Sequence, residues 1–432
     1  MMCRFYQETR MPVESRPRIN RMDDRARQWL ERGGIDAVIL TSPMHVYYFT
    51  GYYLWLDEFF REYMVTPGAS AERLPTYAVA ASNAETALIV GGGTASNAAG
   101  LALDHVVGYG SGQRDSDPTG LESIQRDTST DAPFQCVTAE AATAVDGLVT
   151  ALREMGLADA TIGLEVDDLA PAQRAAIEAA LPDAKLKDCS NVLRMLRMVK
   201  HPDEIDRMRQ AAAIAERAAG EVWTLAKPGV DIQDVIAAFG SRVGVAGATF
   251  EHFCYTTGGY GLATEPHCVI DKTEVMMVDW GCILEHYYSD TGCTLMMQEP
   301  QGRAADYYQG VRLAVQEGGA AFKPGVKASD VRQAMDDSLN RTGNPIQLPH
   351  GHGLGLVVRD YPIIMPDNGL RITDDCIDLA SDVPIEKDMV INLECGIVQP
   401  GYGGWHCEHS FLVTDRGSEL LTPQARDEPI IP

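Results

Sequence analysis

Apolar and polar positions form alternating helical and strand-like blocks along the first part of the chain. Between Met22 and Cys189, helix-like runs such as DRARQWLERG alternate with short strand-like runs such as DAVIL, TYAVA, TALIV and TIGLE. Strands separated by helical segments are typical of α/β domains. We therefore predict an α/β domain over residues 21–190, preceded by a flexible or strapping arm at residues 1–20. The glycines at 91–93 follow a strand without a phosphate-loop pattern, which favours a plain turn.

The pattern changes near residue 190. The segment LRMVKHPDEI breaks at Pro202, which suits a first helical turn, and small and apolar residues then recur at spacings of three and four through Ala219. Strand-like runs follow at FEHFCYT, VMMVDWG, ILEHYYS, MVINLEC and HSFLVTD, together with further helix-like runs. This mixture predicts an α+β domain over residues 191–432, with DEPIIP as a tail.

The charge balance excludes some classes of partner. The 432 residues include 36 Lys and Arg against 61 Asp and Glu, which gives a formal net charge of −25. An acidic surface repels nucleic-acid phosphates and anionic lipid headgroups, so we predict that the protein binds neither nucleic acid nor membranes. Its apolar runs are too short to span a bilayer, and its N-terminus lacks the apolar core of a secretory signal. Ten cysteines without a CxxC pair predict free thiols in a reducing cytoplasm.

Two aspartates follow one another in the segment VMMVDWGCILEHYYSDTGCTL. Asp279 ends an apolar run, and Asp290 lies 11 residues later in a second strand-like run. Two strands of a hairpin would bring these side chains together on one face. A pair of aspartates alone is compatible with ordinary polar surface, but a carboxylate at the end of a buried strand needs a partner such as a cation.

Two further segments carry side chains of the same kind. His350 and His352 lie among glycines, which permit close approach of the backbone, and a histidine in such a loop is either structural or a ligand. Glu394 ends an apolar strand, and Glu408 begins another strand 14 residues later. With the two aspartates, these segments place four carboxylates and a histidine at strand ends of one domain.

In this order the residues resemble the creatinase, prolidase, aminopeptidase P and methionine aminopeptidase family, whose catalytic domain has the pita-bread fold. The LRMVKHPDEI linker and the α/β domain before it resemble the creatinase and prolidase branches. The resemblance implies a creatinase-like N-terminal domain followed by a pita-bread catalytic domain. It also implies that Asp279 chelates the first of two metal ions and that His352 and Glu394 bind the second. Asp290 and Glu408 would bridge the two ions.

The resemblance implies two divalent metal ions, whose charge balances that of the four carboxylates. Oxygen-rich ligation with one imidazole suits manganese, our first expectation, and also cobalt, zinc or iron. Glu394 is expected to assist proton transfer as well as to ligate metal. The match also implies that His267 contacts the substrate or the tetrahedral intermediate, while a structural role for this histidine stays open. We interpret the cysteines beside the ligands as small core residues, because thiolate ligands would be out of place in a set of carboxylates. These cysteines are Cys282, Cys293, Cys395 and Cys407.

Three departures separate the chain from the peptidase pattern. Arg359 stands where peptidases carry a second histidine, His409 stands where an acidic residue is usual, and Cys293 stands where an arginine is usual. Arg359 is expected to take part in catalysis by holding a substrate carboxylate. The structural alternative is that it pairs with Asp360 or another acidic residue and only supports the loop. The aromatic segment at 46–63 suits core packing or, as the alternative, a wall contributed to a partner subunit. Together with the family's habit, it predicts a homodimer.

Three classes of function remain. The first is a dinuclear metallohydrolase that cleaves the amide C–N bond of a small dipeptide or modified amino acid, as Xaa-Pro dipeptidases and aminopeptidase P do. The second is a creatinase-like hydrolase or lyase acting on a small zwitterion of the creatine, ectoine or dimethylsulfoniopropionate type. The third is a catalytically silent peptide-binding protein, which would not need four clustered carboxylates.

Overall fold

The computed structural model describes residues 18–54, 75–110, 139–422 and 429–432, which form two compact units. The first unit comprises the described residues up to Leu196 together with Ile372–Asp378. The second comprises Arg197–Arg371 and the described residues from Leu379 onward. Of the predicted arm, residues 1–17 lie outside the described part, and the predicted boundary at residues 190 and 191 stays a prediction.

The first unit is built on a mixed sheet. Its described helices are α1 (Asp24–Gly33), α2 (Pro43–Thr50), α3 (Ala144–Glu154), α4 (Pro171–Ala180) and α5 (Ser190–Met198), the last of which extends just past Leu196. Its described strands are β1 (Ala37–Leu40), β2 (Tyr77–Ala81), β3 (Thr86–Gly91), β4 (His105–Tyr109), β5 (Ala139–Ala141), β6 (Thr161–Leu164) and β7 (Lys185–Asp188). The strand order is β5-β4-β3-β2-β1-β6-β7, and only the β1–β2 and β2–β3 pairs are antiparallel.

Local sequence explains these elements. Three helices begin at side chains that accept a hydrogen bond from the first turn: Asp23 before α1, Ser42 before α2 and Thr143 before α3. The short apolar strands β1, β2 and β3 are buried along their whole length, as expected for sheets covered on both faces. The predicted α/β class of this unit is confirmed.

The described part of the aromatic segment belongs to the core of this unit. Tyr48, Phe49 and Tyr52 are each no more than 2% exposed. Core packing therefore accounts for these three side chains, the contribution to a partner subunit stays a prediction, and residues 55–63 lie outside the described part.

The second unit combines helices with a curved run of antiparallel strands. Its helices are α6 (Pro202–Val222), α7 (Ile232–Val245), α8 (Arg303–Ala321) and α9 (Ala328–Arg341). Its strands are β8 (Thr249–Tyr255), β9 (Val275–Leu284), β10 (Tyr287–Met296), β11 (His350–Gly353), β12 (Asp360–Ile364), β15 (Val390–Gln399), β16 (Gly403–Thr414) and β17 (Gly417–Leu420). Between them, β13 (Arg371–Thr373) pairs with β14 (Asp378–Ala380). The main sheet has the order β12-β11-β15-β16-β10-β9-β8, with β17 beside β16.

The two faces of the main sheet differ in chemistry. On β9, Val278, Trp280 and Cys282 pack into an apolar core together with residues of α6 and α7. Because side chains alternate along a strand, Asp279 and Gly281 face the opposite side. The helices thus bury one face of the sheet, and the other face is available for polar side chains.

Two expectations about the second unit are wrong. The DEPIIP segment is not a simple tail, because Ile430 is buried, its N–H donates to the Thr294 carbonyl at 2.9 Å and its carbonyl accepts from Met296 N–H at 2.8 Å. The histidine and glycine segment that reads as a loop forms strand β11, whose neighbours are β12 and β15. The predicted chain break is confirmed, since α5 ends at Met198 and α6 begins at Pro202.

Candidate metal centre

Strands β9 and β10 form the predicted hairpin, and each aspartate lies opposite a glycine. Asp279 pairs with Gly292, and Asp290 pairs with Gly281. In this register both carboxylates lie on the face opposite the helices. A Cβ atom on Gly281 would lie 2.6 Å from the His252 ring, so the glycine leaves room for an imidazole beside Asp290.

The two glutamates lie in one row of directly paired residues that runs across this sheet. Glu394 on β15 pairs directly with Glu408 on β16, and Glu408 pairs with Gly292 on β10. One continuous row across six strands consists of His350, Glu394, Glu408, Gly292, Asp279 and Cys254. Asn392 donates from Nδ2 to Glu408 Oε1 at 2.5 Å, which fixes one oxygen of that buried carboxylate.

Two histidines on β11 lie beside Glu394. His352 donates from Nδ1 to the Gly353 carbonyl at 3.1 Å, so its Nε2 lone pair faces Asp290 Oδ2 at 3.6 Å and Glu394 Oε1 at 3.8 Å. Burial lowers the pKa of His352 and favours the neutral ring that a metal needs. His350 donates to the Leu348 carbonyl at 3.0 Å and places Nε2 2.6 Å from Glu394 Oε1.

Two more histidines lie at the centre on other strands. His252 on β8 places Nε2 2.9 Å from Asp279 Oδ1 and pairs through Nδ1 with Glu251. Burial acts to lower the pKa of His252, but these two carboxylate hydrogen bonds outweigh it and raise the pKa to about 11. His406 on β16 places Nε2 3.6 Å from Glu394 Oε2 and 3.9 Å from Glu408 Oε2.

The pKa values of the carboxylates are shifted in different directions. Burial, followed by the charge of Asp279, raises the pKa of Asp290 and of Glu408 well above the usual range. Burial also acts to raise the pKa of Glu394, but the hydrogen bond with His350 and the nearby His406 hold it below the usual range. Crowded buried carboxylates of this kind require a cation or protons.

The cluster lines a cavity of about 470 Å³. Part of its wall is apolar, including Leu262, Met277 and Val398. Arg359 also lines the cavity; its side chain is 51% exposed and its Nη1 lies 4.0 Å from Glu394 Oε1. The neighbouring Asp360 pairs instead with the buried Arg197 at 3.0 Å. An open, partly apolar cavity with converging polar groups is typical of a binding site for a small ligand.

The donor set fits two divalent ions. Among the described residues, three groups have ligand atoms within 4.8 Å of one another: His252, Asp279 and Asp290; Asp290, His352 and Glu408; and Glu394, His406 and Glu408. Glu408 Oε2 is buried without a hydrogen-bond partner among the described residues. A cation would satisfy this oxygen and offset the like charges of the cluster. The groups share Asp290 and Glu408, which is the arrangement that a bridged pair of ions needs.

Two family models match the chain. The model of metallopeptidase family M24 matches residues 206–415, and the creatinase/prolidase N-terminal domain matches residues 23–199. The chain belongs to the creatinase, prolidase and aminopeptidase P branch of the M24 family. It is therefore a metallohydrolase, and the predicted pairing of a creatinase-like domain with a pita-bread domain is confirmed.

Relatives of the M24 family agree with this assignment. The Xaa-Pro dipeptidase of Lactobacillus helveticus is 27% identical over 281 residues, which cover 63% of this chain and 73% of that protein. An uncharacterized peptidase of Staphylococcus aureus is 29% identical over 242 residues, which cover 54% of this chain and 65% of that protein. The structure of an Xaa-Pro dipeptidase from Bacillus anthracis is 21% identical, with a TM-score of 0.66 over 95% of this chain and 99% of that chain. At this identity the structural match supports the M24 fold alone.

The structure brings most of the predicted M24 site residues together. The cavity is lined by the five predicted ligands and by Arg359, namely Asp279, Asp290, His352, Arg359, Glu394 and Glu408. His267 does not line this cavity in the structure as described. Its side chain is 81% exposed, and its Nδ1 lies 2.6 Å from Asp231 Oδ2. Of the cysteines beside the ligands, Cys282, Cys395 and Cys407 are buried as expected for core residues, whereas Cys293 is only partly buried.

Four functional neighbours were not predicted from the sequence as parts of this M24 site. They are His252, His350, Asn392 and His406. His350 and His406 each lie two residues before a predicted ligand, so strand alternation alone places them on the same face. His252 could be placed only after the register of β8 against β9 was known, because nothing in FEHFCYT marks it as facing a carboxylate.

The length and apolar character of the helices bear on whether the chain can cross a membrane. None of the helices in those ranges is long and apolar enough to cross a membrane.

Proposed function

We propose that the M24 domain of this chain is a dinuclear hydrolase that cleaves the amide C–N bond of a small dipeptide or modified amino acid, in the manner of Xaa-Pro dipeptidases. One observation carries the proposal: four carboxylates and His352 converge on one face of the sheet inside a cavity of about 470 Å³. The proposed ligands are Asp279, Asp290, His352, Glu394 and Glu408. A Lactobacillus helveticus relative named as an Xaa-Pro dipeptidase supports this choice of substrate class.

Each residue has a separate task in this proposal. When bound, two divalent ions supply Lewis-acid chemistry for amide hydrolysis. Glu394, whose pKa lies below the usual range, is ionised and so suited to ligate a cation. Its proposed part in proton transfer rests on its position beside the metal ligands and His350 and not on this pKa. His350 lies 2.6 Å from that carboxylate and can pass a proton onward, while its other nitrogen holds the ring on the Leu348 carbonyl. The apolar part of the wall, which includes Leu262, Met277 and Val398, would contact the apolar parts of the substrate.

Manganese is the metal we propose first, because oxygen donors predominate among the five ligands. Cobalt, zinc and iron are the alternatives. We also propose that the protein works in the cytoplasm, because its ten cysteines are scattered without a CxxC pair, as is usual for a chain that stays in a reducing compartment.

A second candidate is a creatinase-like hydrolase or lyase acting on a small zwitterion. The observation that favours it is the imidazole-rich wall, in which His252, His350 and His406 surround the carboxylates together with Arg359. An amine-release screen separates the candidates. Metal-loaded protein should release the C-terminal residue from Xaa-Pro dipeptides, and no release from them with turnover of creatine, ectoine or dimethylsulfoniopropionate would favour the second candidate. Stoichiometric metal without any turnover would favour a silent binding protein.

Replacing Arg359 with alanine is expected to lower kcat/KM by about ten- to a hundredfold for a substrate that carries a carboxylate near the scissile bond. The guanidinium reaches the cavity at 51% exposure and forms a planar fork that fits a carboxylate. Such a contact contributes about 1.5–3 kcal/mol. Steady-state kinetics with the acid and the corresponding amide measure the difference, and Arg359→Lys should restore only part of the loss.

A control and an opposite outcome make this test decisive. Arg416→Ala changes an exposed arginine in the turn after β16 and should leave both rates unchanged. Equal losses for acid and amide in Arg359→Ala, with a lower melting temperature, would assign Arg359 to support of the loop instead.

We expect a homodimer, as predicted from the family resemblance. The buried aromatic side chains at residues 48–52 do not contribute to this expectation, because they belong to the core of their own unit. Light scattering at micromolar concentration should give twice the mass of one 47.0 kDa chain. The mass of a single chain would contradict it.

A further inference from the structure

His406 is buried against the proposed centre without a hydrogen-bond partner. Its side chain is 2% exposed, and neither ring nitrogen has a hydrogen-bond partner among the described residues. Burying an imidazole without a partner costs free energy, because both nitrogens lose their bonds to water. A side chain retained in this state points to a partner that the protein chain itself does not supply.

The orientation of the ring identifies which nitrogen is available. A Cβ atom on Gly292 would lie 2.5 Å from Nδ1 of His406, so that edge of the ring occupies the space that a side chain at position 292 would fill. The opposite nitrogen, Nε2, lies 3.6 Å from Glu394 Oε2 and 3.9 Å from Glu408 Oε2. These distances are too long for hydrogen bonds, but the three atoms belong to a group that could hold one ion.

The other histidines of the site show why His406 is distinct. Both nitrogens of His252 are engaged by carboxylates, and both nitrogens of His350 have polar partners. Among the described histidines of the site, His352 and His406 alone direct Nε2 at the carboxylates without a hydrogen bond to a described residue. They flank Glu394 on opposite sides, with His352 facing Oε1 at 3.8 Å and His406 facing Oε2 at 3.6 Å.

We propose that Nε2 of His406 is a metal ligand beside Glu394 and Glu408, so that the centre carries two imidazole ligands, His352 and His406. The inference rests on the proposed metal centre and adds a ligand to it. A second nitrogen donor raises the affinity of the site for zinc, cobalt or iron, which imidazole suits, more than its affinity for manganese, while the four carboxylates still predominate. The site should therefore discriminate between metals more strongly than one with a single imidazole.

Pulsed EPR of the manganese-loaded full chain tests this directly, because coupled imidazole nitrogens can be counted without any substitution. We expect two coordinated imidazoles in the unaltered protein, one in His406→Gln and one in His352→Gln. Competitive titration of the apo protein should show that His406→Gln weakens zinc binding by at least about tenfold and manganese binding much less. His105→Gln is the control, since His105 belongs to the first unit and pairs there with Glu85.

The outcomes separate this inference from the proposed function. Two bound ions with a single coordinated imidazole in the unaltered protein would overturn the role of His406 and leave the hydrolase proposal standing. Failure to bind any divalent ion would overturn both. Unchanged zinc affinity in a folded His406→Gln variant, checked by circular dichroism, would also reject the ligand assignment.

Discussion

Replacing Asp290 with alanine is expected to remove bound metal and to lower kcat/KM by several orders of magnitude. Asp290 belongs to two of the three groups that could hold an ion, so its loss affects both proposed metal positions at once. It is also buried at 5% exposure, where water cannot take its place without rearrangement. Elemental analysis of protein purified without chelator and steady-state kinetics measure the two effects.

The same substitution should have the opposite effect on the apo protein. Without metal, Asp290 must either stay ionised beside Asp279 and Glu408 or take up a proton to remain buried, and both cost stability at neutral pH, so its removal should raise the melting temperature of the apo form. Metal should then no longer raise that temperature, as it should in the unaltered chain. Asp271→Ala, an exposed aspartate in the turn before β9, serves as the control. Full metal stoichiometry in Asp290→Ala would reject the assignment of the bridging ligand.

Replacing Asp360 with alanine is expected to destabilise the protein by about 3–5 kcal/mol, because it leaves the buried Arg197 without this carboxylate. The two side chains are 4% and 6% exposed, and Arg197 contacts Asp360 Oδ2 at 3.0 Å. The pair anchors the residue that follows Arg359. Chemical denaturation at neutral pH measures the loss, and the double variant Arg197→Met with Asp360→Leu should recover much of it.

The contribution of this pair should also depend on pH. Burial acts to raise the pKa of Asp360, but the charges of Arg197 and Lys200 outweigh it and hold the pKa below the usual range. A carboxylate whose pKa is lower in the folded than in the unfolded chain stabilises the folded state at pH values above its unfolded pKa of about 3.9. This stabilisation is lost as the pH falls through the folded pKa. The exposed pair Lys387 and Asp415, at 2.8 Å, is the matched control and should contribute much less, because solvent screens its charges. Similar losses for both pairs would contradict the argument from burial.

The sequence was sufficient to single out the proposed ligands that end apolar runs. Asp279 and Glu394 each follow such a run, and the hairpin of β9 and β10 follows from two adjacent strand-like runs. Burial of a carboxylate leaves a mark in the sequence because its neighbours must be apolar. The family resemblance then supplied their roles.

The remaining features depend on contacts between distant segments. Ile430 pairs with β10 although DEPIIP carries no strand pattern, because two backbone hydrogen bonds suffice to hold it. His252 reaches Asp279 only through the register of β8 against β9. His267 was predicted to contact the substrate, but it pairs with Asp231. That residue lies 36 positions earlier, and no local pattern in the sequence connects the two.

The row of side chains across six strands limits where this chain can change length. Removing one residue inside β9, β10, β15 or β16 would turn every later side chain of that strand to the helix side, and a two-residue change would keep the face but displace a ligand by about 6.8 Å. Insertions and graft junctions between this chain and a relative should therefore be placed in the connections between strands. A chimera joined within Val390–Gln399 at an offset of one residue should fold poorly and lose Glu394 from the cavity, even if every ligand is present in its sequence.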